Sequence, residues 1–233
     1  MTGASRGIGR AVALALGRRG AKICVHYRQQ SAQAEAVVSE LGGGFACQAD
    51  LAVPAQVEAL IETAHQRFGR LDFLVNNAAV MSRKPVAELE PDDYARVFDV
   101  NVRGLMLACQ AAARRMGQGG RIINFSSSVT RLLLSNYALY AASKGAVEQF
   151  SRVLAKELGP RGITVNVVSP GPTDTDMFRQ GKSQADIEGL AAAAALGRIG
   201  QPQDVAEVVA FLVGPGGAFV SGQIVGVNGG FAP

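Results

Sequence analysis

The chain alternates between two hydrophobic patterns from one end to the other. Short apolar runs predict β-strands, namely AKICVHY, GFACQAD, LDFLVNN, GRIINFS, GITVNVVSP and QIVGVNGG. Between them, SAQAEAVVSELG, PAQVEALIETAHQRFG and PQDVAEVVAFLVG show the helical period, as do the stretches Pro91 to Met116 and Tyr140 to Leu158. This alternation predicts βαβ units. We therefore predict an α/β fold in which a doubly wound parallel sheet lies between two layers of helices.

A glycine-rich turn, TGASRGIG, stands directly before the first predicted helix. Glycines let a backbone approach an anion closely, and the free N–H groups of a helix N-terminus point towards it. The spacing of Gly3, Gly7 and Gly9 differs from the usual GxGxxG fingerprint, so the turn alone is a weak signal. We predict a phosphate-binding turn and leave open the alternative of a glycine-rich, flexible helix start.

The strand that normally precedes such a turn is absent, because only Met1 stands before it. In a doubly wound sheet the first strand lies at the centre. Its removal should leave a gap of about 9.6 Å, two strand spacings, which backbone hydrogen bonds cannot cross. We therefore expect the natural chain to begin several residues upstream, with a short apolar strand.

Composition narrows the class of protein. A length of 233 residues with 48% hydrophobic content fits one α/β domain spanning residues 1–233. The net charge of +4 comes from scattered Arg and Lys residues without interleaved aromatic side chains, which argues against nucleic-acid binding. No run reaches the roughly 18 apolar residues of a membrane span, so we expect no membrane association.

The cysteines and histidines offer no metal site. Cys24, Cys47 and Cys109 lack CxxC spacing, which argues against a zinc site and a disulfide framework and favours free thiols in a reducing cytoplasm. His26 and His65 are isolated in the sequence. We therefore predict no metal and interpret both histidines as surface or strand-edge residues.

The segment from residue 173 to residue 196 differs from the rest of the chain. The chain from Pro170 onward is rich in Pro, Gly, Thr and Asp and then continues into GLAAAAALG, without a clear amphipathic stripe. We predict a mobile lid with one or two short helices that determines substrate specificity. A plain surface insertion is the alternative.

Tyr140 and Lys144 stand four residues apart in a predicted helix, which puts both side chains on one helix face. An ammonium group beside a phenol favours the phenolate and lowers a pKa that starts near ~10, so the phenol can transfer protons near neutral pH. Ser127 lies at the end of the strand GRIINFS, where its hydroxyl can share a substrate oxygen with the phenol. Ser126 and Ser128 are alternatives for this role.

These motifs together resemble the classical short-chain dehydrogenase/reductase family, from Thr2 to the end of the chain. TGASRGIG resembles that family's TGxxxGxG turn, NNAA its NNAG motif, NVRG the motif with its catalytic Asn, and YAASK its YxxxK motif. NVVSPGPTDT is similar to its PG motif, and SGQIVGVNGG to its usual ending. The resemblance is to members of the 3-oxoacyl-[acyl-carrier-protein] reductase type, and it implies a Rossmann fold.

The resemblance implies a catalytic set of Asn101, Ser127, Tyr140 and Lys144. Tyr140 would give a proton to the carbonyl oxygen during reduction, while Ser127 donates a hydrogen bond to it. Lys144 would lower the pKa of Tyr140 and hold the nicotinamide ribose, and Asn101 would fix a water that connects Lys144 to solvent. The implied cofactor-binding residues are Gly3, Ser5, Arg6, Gly7, Ile8, Gly9, Arg28, Asp50, Leu51, Asn77, Ala78, Tyr140, Lys144, Pro170, Gly171 and Thr173.

The charge pattern favours NADP(H) over NAD(H). NAD-binding folds of this type usually place an acidic residue about 20 positions after the glycines. This chain has VHYRQQ there and no acid before Glu35. Arg6 and Arg28 can instead pair with a 2′-phosphate, although an exposed loop charge is the alternative for Arg28.

We therefore expect an NADP(H)-dependent oxidoreductase that transfers hydride between the nicotinamide and a carbonyl or secondary alcohol. Family resemblance implies a homotetramer, with a 3-oxoacyl thioester as the leading substrate ahead of small ketones, sugars and steroids. The alternative from another class is a catalytically silent NADP(H)-binding sensor or scaffold, which would need no proton donor.

Overall fold

The computed structural model describes residues 1–232, with parallel strands between two layers of helices. The strands are β1 (Ile23–Tyr27), β2 (Gly44–Gln48), β3 (Phe73–Asn76), β4 (Arg121–Phe125), β5 (Thr164–Pro170) and β6 (Ile224–Val227). The α-helices are α1 (Gly7–Gly17), α2 (Ser31–Leu41), α3 (Pro54–Phe68), α4 (Pro91–Phe98), α5 (Leu105–Arg115), α6 (Val129–Leu132), α7 (Ala138–Leu158), α8 (Asp176–Arg179), α9 (Gln184–Ala193) and α10 (Pro202–Val213). The predicted α/β fold is confirmed.

Local sequence signals explain several of these boundaries. Pro54 begins α3, where its missing N–H costs nothing, and Gly69 ends that helix in the left-handed conformation at φ 72°. The stretch predicted as one helix from Pro91 to Met116 is divided instead. A π-helical segment, Asp99–Gly104, separates α4 from α5 and widens the helix by one residue per turn.

Two apolar clusters cover the opposite faces of the strands. One contains buried side chains of α3, α5 and α7, and the other contains those of α1, α2 and α10. The strand β5 is buried along its whole length, as expected for a strand covered by helices on both faces. Within residues 1–232, no helix combines the length and the hydrophobicity that a bilayer span requires.

The strands form two parallel ladders, β1–β2 and β3–β4–β5–β6. Within residues 1–232, no backbone hydrogen bond joins β1 directly to β3, as expected for a gap of this width. The segment from Met1 to Ala4 lies in the gap itself. Met1 O accepts from His26 N at 3.1 Å, and Ala4 N donates to His26 O at 3.0 Å. On the other side, Thr2 N donates to Val75 O at 2.9 Å, so the first residues hydrogen-bond to both ladders.

Thr2 also connects this segment to the loop after β3. Its buried hydroxyl accepts from Asn77 N and Ala78 N, both at 3.1 Å. In the opposite direction, Asn77 Nδ2 donates to Thr2 O at 3.1 Å and to Gly3 O at 2.9 Å. The glycine turn and the NNAA loop are therefore one hydrogen-bonded unit.

Replacing Thr2 by Ala should lower the free energy of unfolding by about 1–3 kcal/mol, because two partly buried N–H groups lose their acceptor. Thr2→Ser keeps the hydroxyl and is the matched control, with an expected loss near that of one buried methyl group, about 1 kcal/mol. Urea denaturation of the three proteins measures both effects. Equal losses in the two variants would contradict the assigned role of the hydroxyl.

Candidate active site

A cavity of about 620 Å³ opens at the carboxyl ends of the strands, within the size range of small-molecule and cofactor sites. It brings together every predicted site residue except Asn101. These are Gly3, Ser5, Arg6, Gly7, Ile8, Gly9, Arg28, Asp50, Leu51, Asn77, Ala78, Ser127, Tyr140, Lys144, Pro170, Gly171 and Thr173. The glycine turn and Arg28 thus share one cavity with the Tyr140 and Lys144 pair.

The glycine turn is shaped by two requirements that only glycine meets. Gly3 and Gly7 have positive φ values of 62° and 54°, which L side chains rarely adopt. At Gly9, an added Cβ would lie 2.0 Å from Gly3 O, so the start of α1 packs directly on the turn. The N–H groups of the first turn of α1 have no partners within the helix and are available to an anion in the cavity.

Tyr140 and Lys144 lie on one face of α7, as predicted, but their electrostatics differ from the expectation. The Nζ atom of Lys144 is 5.7 Å from the ring centroid of Tyr140 and donates to Phe125 O at 2.8 Å. Burial raises the pKa of Tyr140 to about 12, although a hydrogen bond with Ser127 acts in the opposite direction. Burial also lowers the pKa of Lys144 to about 8. The expected lowering of the Tyr140 pKa by Lys144 is therefore not seen, and burial determines the direction of the shift.

The three serines after β4 have different environments. Ser126 Oγ donates to Glu148 Oε1 at 2.6 Å, and the backbone N–H of Ser128 donates to Pro170 O at 3.0 Å. Both serines are buried, whereas Ser127 is partly exposed, lines the cavity with Tyr140 and acts to lower the pKa of its phenol. This geometry favours Ser127 over its neighbours as the hydroxyl that meets a substrate oxygen.

Asn101 lies in the π-helical segment and is buried outside the cavity lining. Its Nδ2 donates to Val80 O at 2.8 Å and to Ser143 Oγ at 3.1 Å, and its Oδ1 accepts from Val80 N at 2.8 Å. Ser143 Oγ in turn donates to Tyr140 O at 2.7 Å. The Asn101 side chain therefore connects the loop after β3 to the first turns of α7.

Comparison with known proteins agrees with this geometry. A family profile described as enoyl-(acyl carrier protein) reductase matches residues 3–232. An uncharacterized oxidoreductase of Methylorubrum extorquens is 46% identical over 236 residues, covering 99% of this chain and 95% of the relative. A short-chain type dehydrogenase/reductase of Picea abies is 44% identical over 244 residues, covering 99% and 90%. The chain belongs to the short-chain dehydrogenase/reductase family.

A solved structure of this family resembles the chain over its whole length. A blue fluorescent protein from a metagenomic library, crystallised in complex with NADPH, is 43% identical and superimposes with a TM-score of 0.96. The match covers 100% of this chain and 96% of that protein. The fold and the oxidoreductase class of this short-chain dehydrogenase/reductase are therefore established.

The residues of this short-chain dehydrogenase/reductase fit a phosphorylated dinucleotide. The glycine turn leaves no room for side chains where the backbone and the N-terminus of α1 face the cavity. Arg6 and Arg28 also line the cavity, and within residues 1–232 neither has a carboxylate at ion-pair distance. Asp50 uses its carboxylate locally, where Oδ1 accepts from Ala52 N at 2.9 Å. Both guanidinium groups are thus available to a phosphate.

His26 is a site residue that the sequence analysis missed, and its interpretation as a surface or strand-edge histidine was wrong. The side chain is buried in β1 and lines the cavity. Its Nδ1 accepts from Gly3 N at 3.0 Å, which leaves Nε2 as the nitrogen that donates to Ala49 O at 3.0 Å. One neutral imidazole therefore connects the glycine turn to the end of β2. The sequence offered no signal for this role, because Gly3 and Ala49 are both remote from His26 along the chain.

Acidification should destabilise the protein through His26. Burial lowers its pKa to about 4, from 6.5 for an exposed histidine. Between these two pH values the unfolded chain therefore binds more protons than the folded one. The stability that neutral His26 contributes is complete above pH 6.5 and is lost as the pH falls towards 4. The loss should approach about 3 kcal/mol. Urea denaturation across this range measures it.

His26→Leu is the comparison variant for this experiment. It should be less stable than wild type at neutral pH, because Gly3 N–H and Ala49 O lose their partner. Its stability should fall less than that of wild type between pH 6.5 and 4. Parallel pH curves for the two proteins would show that another group causes the acid sensitivity.

Proposed function

We propose that this protein is an NADP(H)-dependent oxidoreductase that interconverts a carbonyl group and a secondary alcohol, with Tyr140 as the proton donor and acceptor. The observation that carries the proposal is the common cavity of Ser127, Tyr140 and Lys144 with the glycine turn. The NADPH found in the solved relative supports the choice of cofactor class.

The protein's own groups suggest how the proton moves. A bound nicotinamide cofactor would supply the hydride to the carbonyl carbon. With a pKa of about 12, the phenol of Tyr140 carries its proton at neutral pH and can donate it to the developing alkoxide. Ser127 can donate a hydrogen bond to the same oxygen and stabilise the charge that develops there. Lys144, whose pKa is about 8, remains largely charged at neutral pH and stabilises the phenolate left on Tyr140.

The proposed role of Asn101 is to position α7, the helix that contains Tyr140. Its hydrogen bond to Ser143, which itself bonds to Tyr140 O, positions the first turns of α7. The implied water between Lys144 and solvent remains part of the proposal for Asn101.

We propose a preference for NADP(H) over NAD(H). Arg6 and Arg28 line the cavity beside the glycine turn, and a guanidinium group matches a 2′-phosphate in charge and geometry. Asp50 also lines that end of the cavity, and its carboxylate already accepts a hydrogen bond from Ala52 N. The two arginines therefore decide the preference in this proposal.

We further propose that residues 1–233 act as one domain, with residues 173–196 as the substrate lid. The helices α8 and α9 lie in this segment, and Met177, Phe178 and Leu190 line the cavity. A cytoplasmic location is part of the proposal and is supported by Cys24, Cys47 and Cys109, which are free thiols.

A homo-oligomer, with the tetramer as the expected form, completes the proposal. Phe211 of α10 is 53% exposed and Phe219 is fully exposed, while β6 forms an edge of its ladder. Exposed aromatic side chains beside an open strand edge favour burial against another copy of the chain.

Tyr140→Phe removes the proton donor and keeps the ring. We expect NADPH-dependent carbonyl reduction to fall at least about 100-fold. The Kd for NADPH, measured by nucleotide fluorescence, should stay within about threefold, because the hydroxyl accounts for at most one hydrogen bond to the ribose. Unchanged turnover would remove Tyr140 from the mechanism, and NADPH binding without turnover in the wild type would favour the silent sensor.

Arg28→Gln should raise the Kd for NADPH about tenfold and leave the Kd for NADH nearly unchanged, because a charge-assisted contact to the 2′-phosphate is lost. Arg18→Gln is the matched control, since Arg18 is an exposed residue at the far end of α1 and loses the same charge. Equal weakening of both cofactors would mean that Arg28 does not recognise the 2′-phosphate.

A further inference from the structure

The cavity continues past Ser127 and Tyr140 between apolar walls. One wall comes from the loop after β3 and from the α6–α7 region, and the other comes from the lid. Their apolar lining residues are Met81, Leu132, Leu134, Tyr137, Met177, Phe178 and Leu190. A substrate whose carbonyl meets Tyr140 would therefore place an apolar body against these side chains.

Two cations contact aromatic residues of these walls, Lys182 from within the cavity lining and Arg83 from outside it. Lys182 of the lid lines the cavity, and its Nζ donates to Phe178 O at 2.7 Å and lies 4.6 Å from the Phe178 ring centroid. Arg83, from the loop after β3, places its Cζ 5.8 Å from the ring centroid of Tyr137. Both cations are thus fixed against aromatic residues of the cavity wall.

The nearby carboxylates have other partners. Asp186 accepts from both N and Oγ of Ser183 at 2.8 Å and caps α9. Asp93 accepts from Lys84 at 2.7 Å and pairs with Arg96 at 3.3 Å.

Arg83 and Lys182 consequently form no ion pair within the part of the chain described, residues 1–232. Burial lowers the pKa of Lys182, and the charge of Arg83 lowers it further, although Asp186 acts in the opposite direction. Asp186 already lies close enough to both cations for their charges to lower its pKa, and a further anion between Arg83 and Lys182 would raise the pKa of Lys182.

We propose that the substrate carries an anionic group, a carboxylate or a phosphate, that binds between Arg83 and Lys182 while its carbonyl lies at Ser127 and Tyr140. This inference rests on the proposed reductase function. Tyr137 lies between the two ends, because it directly precedes α7, three residues before Tyr140, and its ring contacts the Arg83 guanidinium. The substrate class is therefore an apolar carbonyl compound with a negative charge at the end remote from the carbonyl.

Two pairs of test substrates, each with a charged and a neutral member, show whether the charge of the substrate matters. Para-formylbenzoate and its methyl ester differ in a carboxylate. Acetoacetyl-CoA and acetoacetyl-N-acetylcysteamine share the thioester end, and only the CoA compound carries the phosphate-bearing remainder. NADPH oxidation with each compound gives kcat and KM for wild type, Arg83→Gln, Lys182→Gln and the double variant. Lys156→Gln is the control, because Lys156 is an exposed lysine of α7 outside the cavity lining and loses the same charge.

The double variant should lose about tenfold in kcat/KM for the anionic member of at least one pair, mainly through KM, and stay within about twofold for the neutral member. A loss confined to para-formylbenzoate identifies a carboxylate site, and one confined to acetoacetyl-CoA a phosphate site. Equal changes for charged and neutral members, or the same loss in Lys156→Gln, would overturn the proposal.

A binding measurement separates this inference from the proposed function. Para-formylbenzoate and acetoacetyl-CoA are titrated by calorimetry into the protein saturated with NADP⁺, which cannot reduce them. The double variant should bind one of these anions about tenfold more weakly than wild type. Such a loss of binding supports the anion site whether or not the compounds are reduced. Failure of NADPH to reduce any of the four compounds would instead contradict the reductase function. If wild type binds the charged compounds no better than the neutral ones, the anion site is wrong.

Discussion

The hydrogen bonds of Met1 to Ala4 are the contacts on which the active-site architecture depends. They lie between β1 and β3 at the carboxyl ends of the strands and join the two ladders there. The same residues begin the glycine turn, so the sheet junction and the floor of the cavity consist of one short segment. Thr2 hydrogen-bonds to the NNAA loop and Gly3 to His26, so the turn is attached to the elements on both sides of it.

Burial determines the protonation states of the ionisable groups in the site. It keeps His26 neutral, so that the imidazole can accept from Gly3 and donate to Ala49 at once. It also raises the pKa of Tyr140 and lowers that of Lys144, which keeps the phenol protonated beside an ammonium group. These opposite shifts have one cause, because a low-dielectric environment disfavours the charged form of each group. The phenol is consequently suited to donate a proton, and the nearby ammonium to stabilise the phenolate.

The two ends of the cavity differ in how they are built. The cofactor end is a compact unit of glycines, backbone hydrogen bonds and two free guanidinium groups. The substrate end is formed by side chains of α6, α8 and α9 and of the loops beside them. Arg83 and Lys182 approach each other from separate loops at this end. Substitutions there can change the substrate without disturbing the frame that binds the nucleotide.

The sequence by itself determined the alternation of strands and helices, the glycine turn and the Tyr140 and Lys144 pair, because these depend on periodicities and spacings within one segment. It also indicated the seventeen positions that line one cavity, through motifs whose order the fold preserves. The tertiary structure alone decided the burial of His26, the junction at Met1 to Ala4 and the high pKa of Tyr140. Each of these depends on groups that are distant in the chain and meet only after folding, and on the water that their packing removes.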